Sequence, residues 1–342
     1  SNESVATARD VVAFVLMGSA GLATASMLFR QLVLSREEMR GLMWIAVSPI
    51  VSVGAIATLA TATAKDLEFG TEANFATSGG FGPNQIATVL GLGGLLCLVI
   101  LLLGVRGRKQ LIIAACGAWL IGQALITFAR GGVYGFGIAA AAMLLAGLLL
   151  RGNRSRGVMV VVIGGLILLV VLNWAQSFSG GALDTRYDQN DSGRGEVASA
   201  ELELFADNPL GGGAGRAKFE RKTVGSDYDG VASHNEMTRL LAEHGYLGAI
   251  ALALLVVMAV QAVRWSNGST DRVVAVGFVV WSSATMFHSA TRLAAVGLVF
   301  GLASLRLEPT RSELQSRVTL GLRHRRIGSA DQPAPVVGDA LK

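Results

Sequence analysis

The length of the apolar runs constrains this sequence more than any other feature. "ATVLGLGGLLCLVILLLG" (87–104) and "GAIALALLVVMAVQAV" (248–263) carry no charge at all. A helix crosses a bilayer with roughly 17–25 apolar residues, and it satisfies its own backbone in doing so. About nine stretches qualify: 11–29, 41–62, 84–104, 111–128, 132–150, 157–174, 246–264, 273–289 and 291–306. A membrane β-barrel would instead alternate in short segments. The expected fold class is therefore all-α, a polytopic transmembrane helical bundle. Composition agrees: only 15% of the 342 residues are charged, against about 25% in soluble domains. The 43 glycines suit helices that approach one another closely in lipid.

The net charge of +5 raises the possibility of nucleic-acid binding, but its distribution excludes it. Basic residues fall in short connections between apolar runs: "RQLVLSREEMR" (30–40), "VRGRKQ" (105–110), "RGNRSRG" (151–157), "RWSNGSTDR" (264–272) and the tail from Arg306. Between them lie "KDLEFGTEANFATSGGFGP" (65–83), the tight "ARGG" (129–132) and the long 175–235 segment. The positive-inside rule puts the first set in the cytoplasm and the second outside. Of the 29 Lys and Arg, 18 then fall inside, with the C-terminus. Ser1 falls outside with no cleavable signal evident, so either the first hairpin is misread or, as the favoured expectation, further helices precede it. Four regions follow: N-terminal membrane helices (1–174), an outer loop domain (175–235), C-terminal membrane helices (236–308) and a basic tail (309–342), expected to be disordered, whose "RHRR" would meet anionic headgroups.

The outer loop holds ten acids against six Lys and Arg, so it is no general anion trap. A helix is expected from Arg194 to about Ala206, stopped by "DNPLGGGAG". Arg130, in "LITFARGGVYG", has an ordinary reading as an interfacial arginine snorkelling to headgroups. It also opposes the charge rule on the outer side, and a guanidinium fork suits phosphate oxygens. Arg194 is either a solvated loop residue or a group aimed at an anion beside a helix N-terminus. Arg186, Arg216, Lys218, Arg221 and Lys222 compete with it, and spacing does not rank them.

His234 opens "SHNEMTRLLAEHGYLGAIAL" (233–252), a helical pattern running into the bilayer. A lone histidine is ordinarily a structural hydrogen-bonder. At the membrane boundary an imidazole titrating near 6.5 can also take a proton from a substrate hydroxyl. His244, beside an expected kink at Gly245, is the alternative, and His288 with Arg292 forms a third outer polar pair. The sequence has no HExxH or CxxC, and "GGGAGRAKF" lacks the GK[ST] ending of a phosphate loop. Cys97 and Cys116 lie inside apolar runs and suggest neither disulfide nor metal site. No metal and no cofactor is expected.

Three stretches resemble the O-antigen ligase and polymerase superfamily of bacterial membrane glycosyltransferases. "FADNPLGGGAGRAKF" (205–219) is similar to its "NPLxGxGxGxF" signature, and "SHNEMTRLLAEHGYLG" to its "HNxxLxxxxExGxxG" signature. "SGGFGPNQIATVLGLG" (78–93) is similar to an upstream "FxxNxxA" stretch. They stand in the family's order over residues 78–255, although this loop is short and has "GGG" where the family spaces its glycines. The resemblance implies a bacterial inner-membrane enzyme whose 175–235 loop is periplasmic. It implies as substrates a glycan on undecaprenyl pyrophosphate and a lipid A–core or growing-glycan acceptor. As catalytic residues it implies His234, Arg130 and Arg194, with Asn235, Arg216 and Asn84 also contacting substrate. The ligase reading stands beside polymerisation or protein O-glycosylation by the same superfamily. A transporter or flippase fits less well, since no internal repeat or deeply buried charge is evident.

Overall fold

Helix boundaries in the chain follow local chemistry. The computed structural model describes residues 21–65, 67, 73–150, 170, 173–182, 193–227, 233, 235–288 and 293–308. After α1 (Gly21–Phe29) and the short strand β1 (Val33–Leu34), α2 (Arg36–Thr63) starts with a reciprocal cap. Ser35 Oγ accepts from the Glu38 amide, and the Glu38 carboxylate accepts from the Ser35 amide. Pro83 occupies the first turn of α3 (Pro83–Leu102), where its missing N–H costs nothing. There follow α4 (Arg108–Ile126), α5 (Arg130–Leu149), α6 (Arg194–Asp207) and the single turn α7 (Ala217–Glu220). A 3-10 turn, Arg221–Val224, leads on towards α8 (Glu236–Arg264), α9 (Ser269–Thr285), α10 (Ala294–Leu302) and β2 (Arg306–Leu307). β1 and β2 pair in parallel, Val33 opposite Arg306.

Five helices, α2, α3, α4, α5 and α8, are long and apolar enough to cross a membrane. They match five of the nine expected stretches; α9, at 17 residues, is shorter and α10, at 9 residues, shorter still. The 157–169 part of the expected sixth span lies outside the described residues, as do residues 1–20 and 309–342. Ser1–Leu307 cluster as one compact unit and Glu308–Lys342 as another.

Burial ranks the helices of the first unit. The apolar window of α3 is 78% buried and that of α8 only 11%, so α3 is the central post and α8 a peripheral helix. Leu90, Leu95, Leu96, Val99 and Ile100 of α3 join Met43 and Val47 of α2, Leu120 of α4 and Phe278 and Trp281 of α9 in one core. Where α3 meets α5, the backbones nearly touch. A Cβ on Gly132 would lie 2.0 Å from the Ala87 carbonyl oxygen, and one on Gly91 2.3 Å from that of Gly132. Only glycine allows this approach, which fixes the start of α5 against the second turn of α3.

A buried amide ties α2 to α4 nearby. Gln123 donates to the Thr77 carbonyl at 2.8 Å and to Thr61 at 3.1 Å, and accepts from Thr58 at 3.0 Å. Trp119 closes the network by donating to Thr58 at 3.0 Å. A satisfied polar network of this kind fixes one helix register where apolar packing alone would tolerate several.

Candidate functional site

The connection from α4 to α5 is held in an unusual shape. Phe128, fully buried, has φ 57°, the only non-glycine residue in the left-handed region among the described residues. Such a conformation costs about 1–2 kcal/mol and persists because its surroundings impose it. The Phe128 ring packs with Ile121, Leu125 and Ala175, and the Thr127 carbonyl accepts from the Asn74 amide at 2.8 Å. The sharp reversal makes Arg130 the first residue of α5. Ala129, which precedes it, makes no side-chain cap, and the partial positive charge of the helix gathers at this end.

Arg194 begins α6, after Gly193 turns the chain at φ 63°. Its Nη1 lies 3.2 Å from Nδ1 of His288, just beyond the C-terminal end of α9. A guanidinium has no lone pair to offer, so Nδ1 accepts and the imidazole carries its proton on Nε2. The same ring covers the start of α5: a Cβ on Gly131 would lie 3.0 Å from His288 Cγ. His288 therefore bridges Arg194 to the residue that follows Arg130. Residues from three parts of the sequence meet at this point.

The start of α8 is tied to the same place. The Glu236 amide donates to the Met286 carbonyl at 2.8 Å, two residues before His288. Glu201, fully buried on α6, collects Arg221 at 2.7 Å, Ser233 at 3.1 Å and Thr238 at 2.6 Å. A buried pair of this kind does little for net stability, but removing one partner costs about 3–5 kcal/mol. Its effect here is positional: residues 233 and 238 are pinned to α6. Asn235 caps α8, its side chain accepting from the Met237 amide at 3.0 Å.

The glycine-rich stretch completes the framework. At Gly245, φ 57° and ψ −133° interrupt α8. The bonds the helix gives up there are remade across the chain. Tyr246 donates to the Pro209 carbonyl, while the Ala242 and Glu243 carbonyls accept from Gly212 and Gly213, each at 2.9 Å. "NPLGGG" and "EHGYLG" are thus two halves of one backbone crossing. The glycines bind main chain, which is why no phosphate loop forms there.

The expected site residues divide accordingly. Arg194 and the backbone of Gly131, next to Arg130, both meet His288, and Asn84 stands in the first turn of α3, whose next turn packs on Gly132. Asn235 serves as a helix cap. Arg216 is brought to neither arginine by any contact described; its side chain is 68% exposed and pairs with Glu220 at 3.5 Å. Arg221 leaves the list of anion candidates because Glu201 neutralises it. His234, Arg292 and Arg186 lie outside the described residues. No group of three His, Cys, Asp or Glu is arranged for a metal ion among the described residues.

Residues 115–253 match a family model described as O-antigen ligase. Over this stretch the chain is similar to O-antigen ligases. The stretch runs from α4 into α8, enclosing Arg130, Arg194, the Glu201 hub and the crossing at Gly245. Searches of curated proteins and of solved structures give no match. The O-antigen ligase family implies ligase- or polymerase-type glycan transfer by an integral membrane protein, with lipid-linked glycans as substrates. His288 lies beyond the matched region, and its pairing with Arg194 spans 94 residues.

His288→Ala is expected to weaken binding of lipid-linked donor by about 10–100-fold, the worth of a hydrogen bond to a charged group. His288→Asn, whose amide oxygen can accept in place of Nδ1, is expected to recover much of it. Equal losses in both variants, measured with purified protein and labelled donor, would mean that the imidazole does not orient Arg194.

Proposed function

We propose that the chain transfers a glycan from undecaprenyl pyrophosphate to an acceptor hydroxyl at the periplasmic face of the inner membrane, ligating O-antigen to lipid A–core. The observation that supports this most directly is the His288 bridge, which gathers Arg194 and the Arg130 end of α5 at one point. Two guanidinium groups beside the positive end of α5 offer charge-assisted donors suited to a diphosphate.

In this reading Arg130 and Arg194 hold the pyrophosphate and stabilise the negative charge that grows on it. His234 takes the acceptor's proton. The acceptor oxygen bonds to the anomeric carbon as the carbon–oxygen bond to phosphate breaks, and the bonding electrons leave with the pyrophosphate. A single in-line displacement inverts the anomeric centre. Asn235 and Asn84 flank the acceptor and donor sugars, and Arg216 meets the glycan farther out.

The reading is tested in proteoliposomes supplied with lipid-linked donor and lipid A–core. Arg130→Ala and Arg194→Ala are each expected to weaken donor binding and to lower transfer by about 100–1,000-fold, the usual loss of one charge-stabilising donor. Donor binding unchanged in both variants would remove the diphosphate from this place. The product separates the alternatives. Capped lipid A–core marks a ligase; glycan chains that lengthen without it mark a polymerase, and glycan on protein an O-oligosaccharyltransferase.

A further inference from the structure

The end of the bundle away from Arg194 and His288 carries a second cluster of cations. The Arg30 guanidinium stacks over the Trp265 ring at 3.7 Å from its centroid, and that of Arg306 lies 5.9 Å from the same centroid. The pairing of β1 with β2 fixes this arrangement, with the Arg306 amide donating to the Leu32 carbonyl at 3.2 Å. Arg36, two residues beyond β1, donates to Thr270 at 3.2 Å, and Arg272 follows on the same helix.

These arginines have no acidic partner within ion-pair distance among the described residues. The acids nearby are engaged otherwise: Glu38 accepts from the Ser35 amide at 2.8 Å and Asp271 from the Asn267 amide at 2.7 Å. The Nε–H groups of Arg36, Arg272 and Arg306 are shielded from solvent and find no acceptor among the described residues. Shielded donors and gathered like charges call for an acceptor beyond these described residues. Beside them, Met27, Leu28, Leu32 and Val33 present apolar side chains outward, Leu28 at 67% exposure. Cations bordered by outward apolar groups match a molecule with an anionic head and a hydrocarbon tail.

We propose that Arg30, Trp265 and Arg306, with Arg36 beside them, seat the phosphate of an anionic membrane phospholipid, its acyl chains lying along Leu28 and Leu32. Both guanidinium groups reach one phosphate from around the indole, which offers its apolar surface to the glycerol. The bound lipid adds to the strand pair and to the packing of α1 on α10 at Ala25 and Gly301, which already join these parts of the chain.

The site is tested by native mass spectrometry of the full chain, delipidated in detergent and titrated with phosphatidylglycerol or phosphatidylcholine. One phosphatidylglycerol is expected to bind at least tenfold more tightly than phosphatidylcholine. Arg30→Gln with Arg306→Gln is expected to abolish that preference. Arg106→Gln with Lys109→Gln removes two exposed charges from the same end and is expected to leave it intact. Equal loss in the two pairs would reduce the effect to diffuse attraction and overturn the site. Displacement of the lipid by millimolar inorganic phosphate would overturn the lipid as its occupant. Should the double variant fail to fold, Arg30→Lys, which keeps the charge but loses the fork, is expected to weaken phosphatidylglycerol several-fold. An unchanged affinity there would also count against the site.

Discussion

Alanine at position 234 is expected to lower glycan transfer by roughly 100- to 10,000-fold while lipid-linked donor still binds, the range typical of a lost general base. The split follows from the division of labour proposed here. In that proposal Arg130 and Arg194 hold the donor, and both are placed by features away from position 234: Arg130 follows the Phe128 reversal and Arg194 meets His288. The framework around position 234 should also survive, because Ser233 is anchored to Glu201 and Glu236 to the Met286 carbonyl. Single-turnover rates and donor affinity, measured on one preparation, check both halves. An unimpaired rate would pass the role of base to His244 or to another group. A parallel fall in donor affinity would make His234 a binding residue instead.

Gly245→Ala is expected to be among the most damaging single-methyl additions in the region matched at 115–253. A Cβ at this position would stand 2.1 Å from the Pro209 carbonyl oxygen and 2.4 Å from the Leu210 carbonyl carbon, both main-chain atoms that cannot swing aside. Relief requires the two segments to part, breaking the bonds that Tyr246, Gly212 and Gly213 make across the gap. With about 1–3 kcal/mol for each backbone group left unsatisfied, and about 1–2 kcal/mol for the left-handed residue, the loss exceeds about 4 kcal/mol locally. Gly225 supplies the control. Its φ is 75°, yet an added Cβ would meet nothing within 4 Å, so alanine there carries strain without collision. Limited proteolysis should cleave the 205–219 segment rapidly in Gly245→Ala and slowly in Gly225→Ala. Similar cleavage in both would show that backbone strain, rather than the crossing, sets the cost.

Local patterns were legible in the sequence to within a few residues. The expected 41–62 and 84–104 stretches are Arg36–Thr63 and Pro83–Leu102, and the helix opening at Arg194 runs to Asp207. Caps, prolines and apolar runs act within a turn or two, so they leave a readable trace. Gly245 was expected to bend its helix for the same reason. What stayed hidden depends on distant partners. The loop read as a net-acidic stretch with several competing cations, and nothing near Glu201 or Arg221 signals that both are fully buried against each other. Arg221 consequently stood among the anion candidates. His288 was paired by proximity with Arg292, whereas its ring reaches Arg194 across 94 positions. The two glycine motifs were read as separate signatures, although each holds the hydrogen-bonding partners the other lacks.

The splice between Pro209–Gly213 and Gly245 has a mechanical corollary. Main-chain bonds shared between a surface segment and a membrane helix leave no slack for either to move alone. A gate wide enough to admit a branched sugar chain would have to swing both as a single lever, with the loop as its handle and the upper turns of α8 as its shaft.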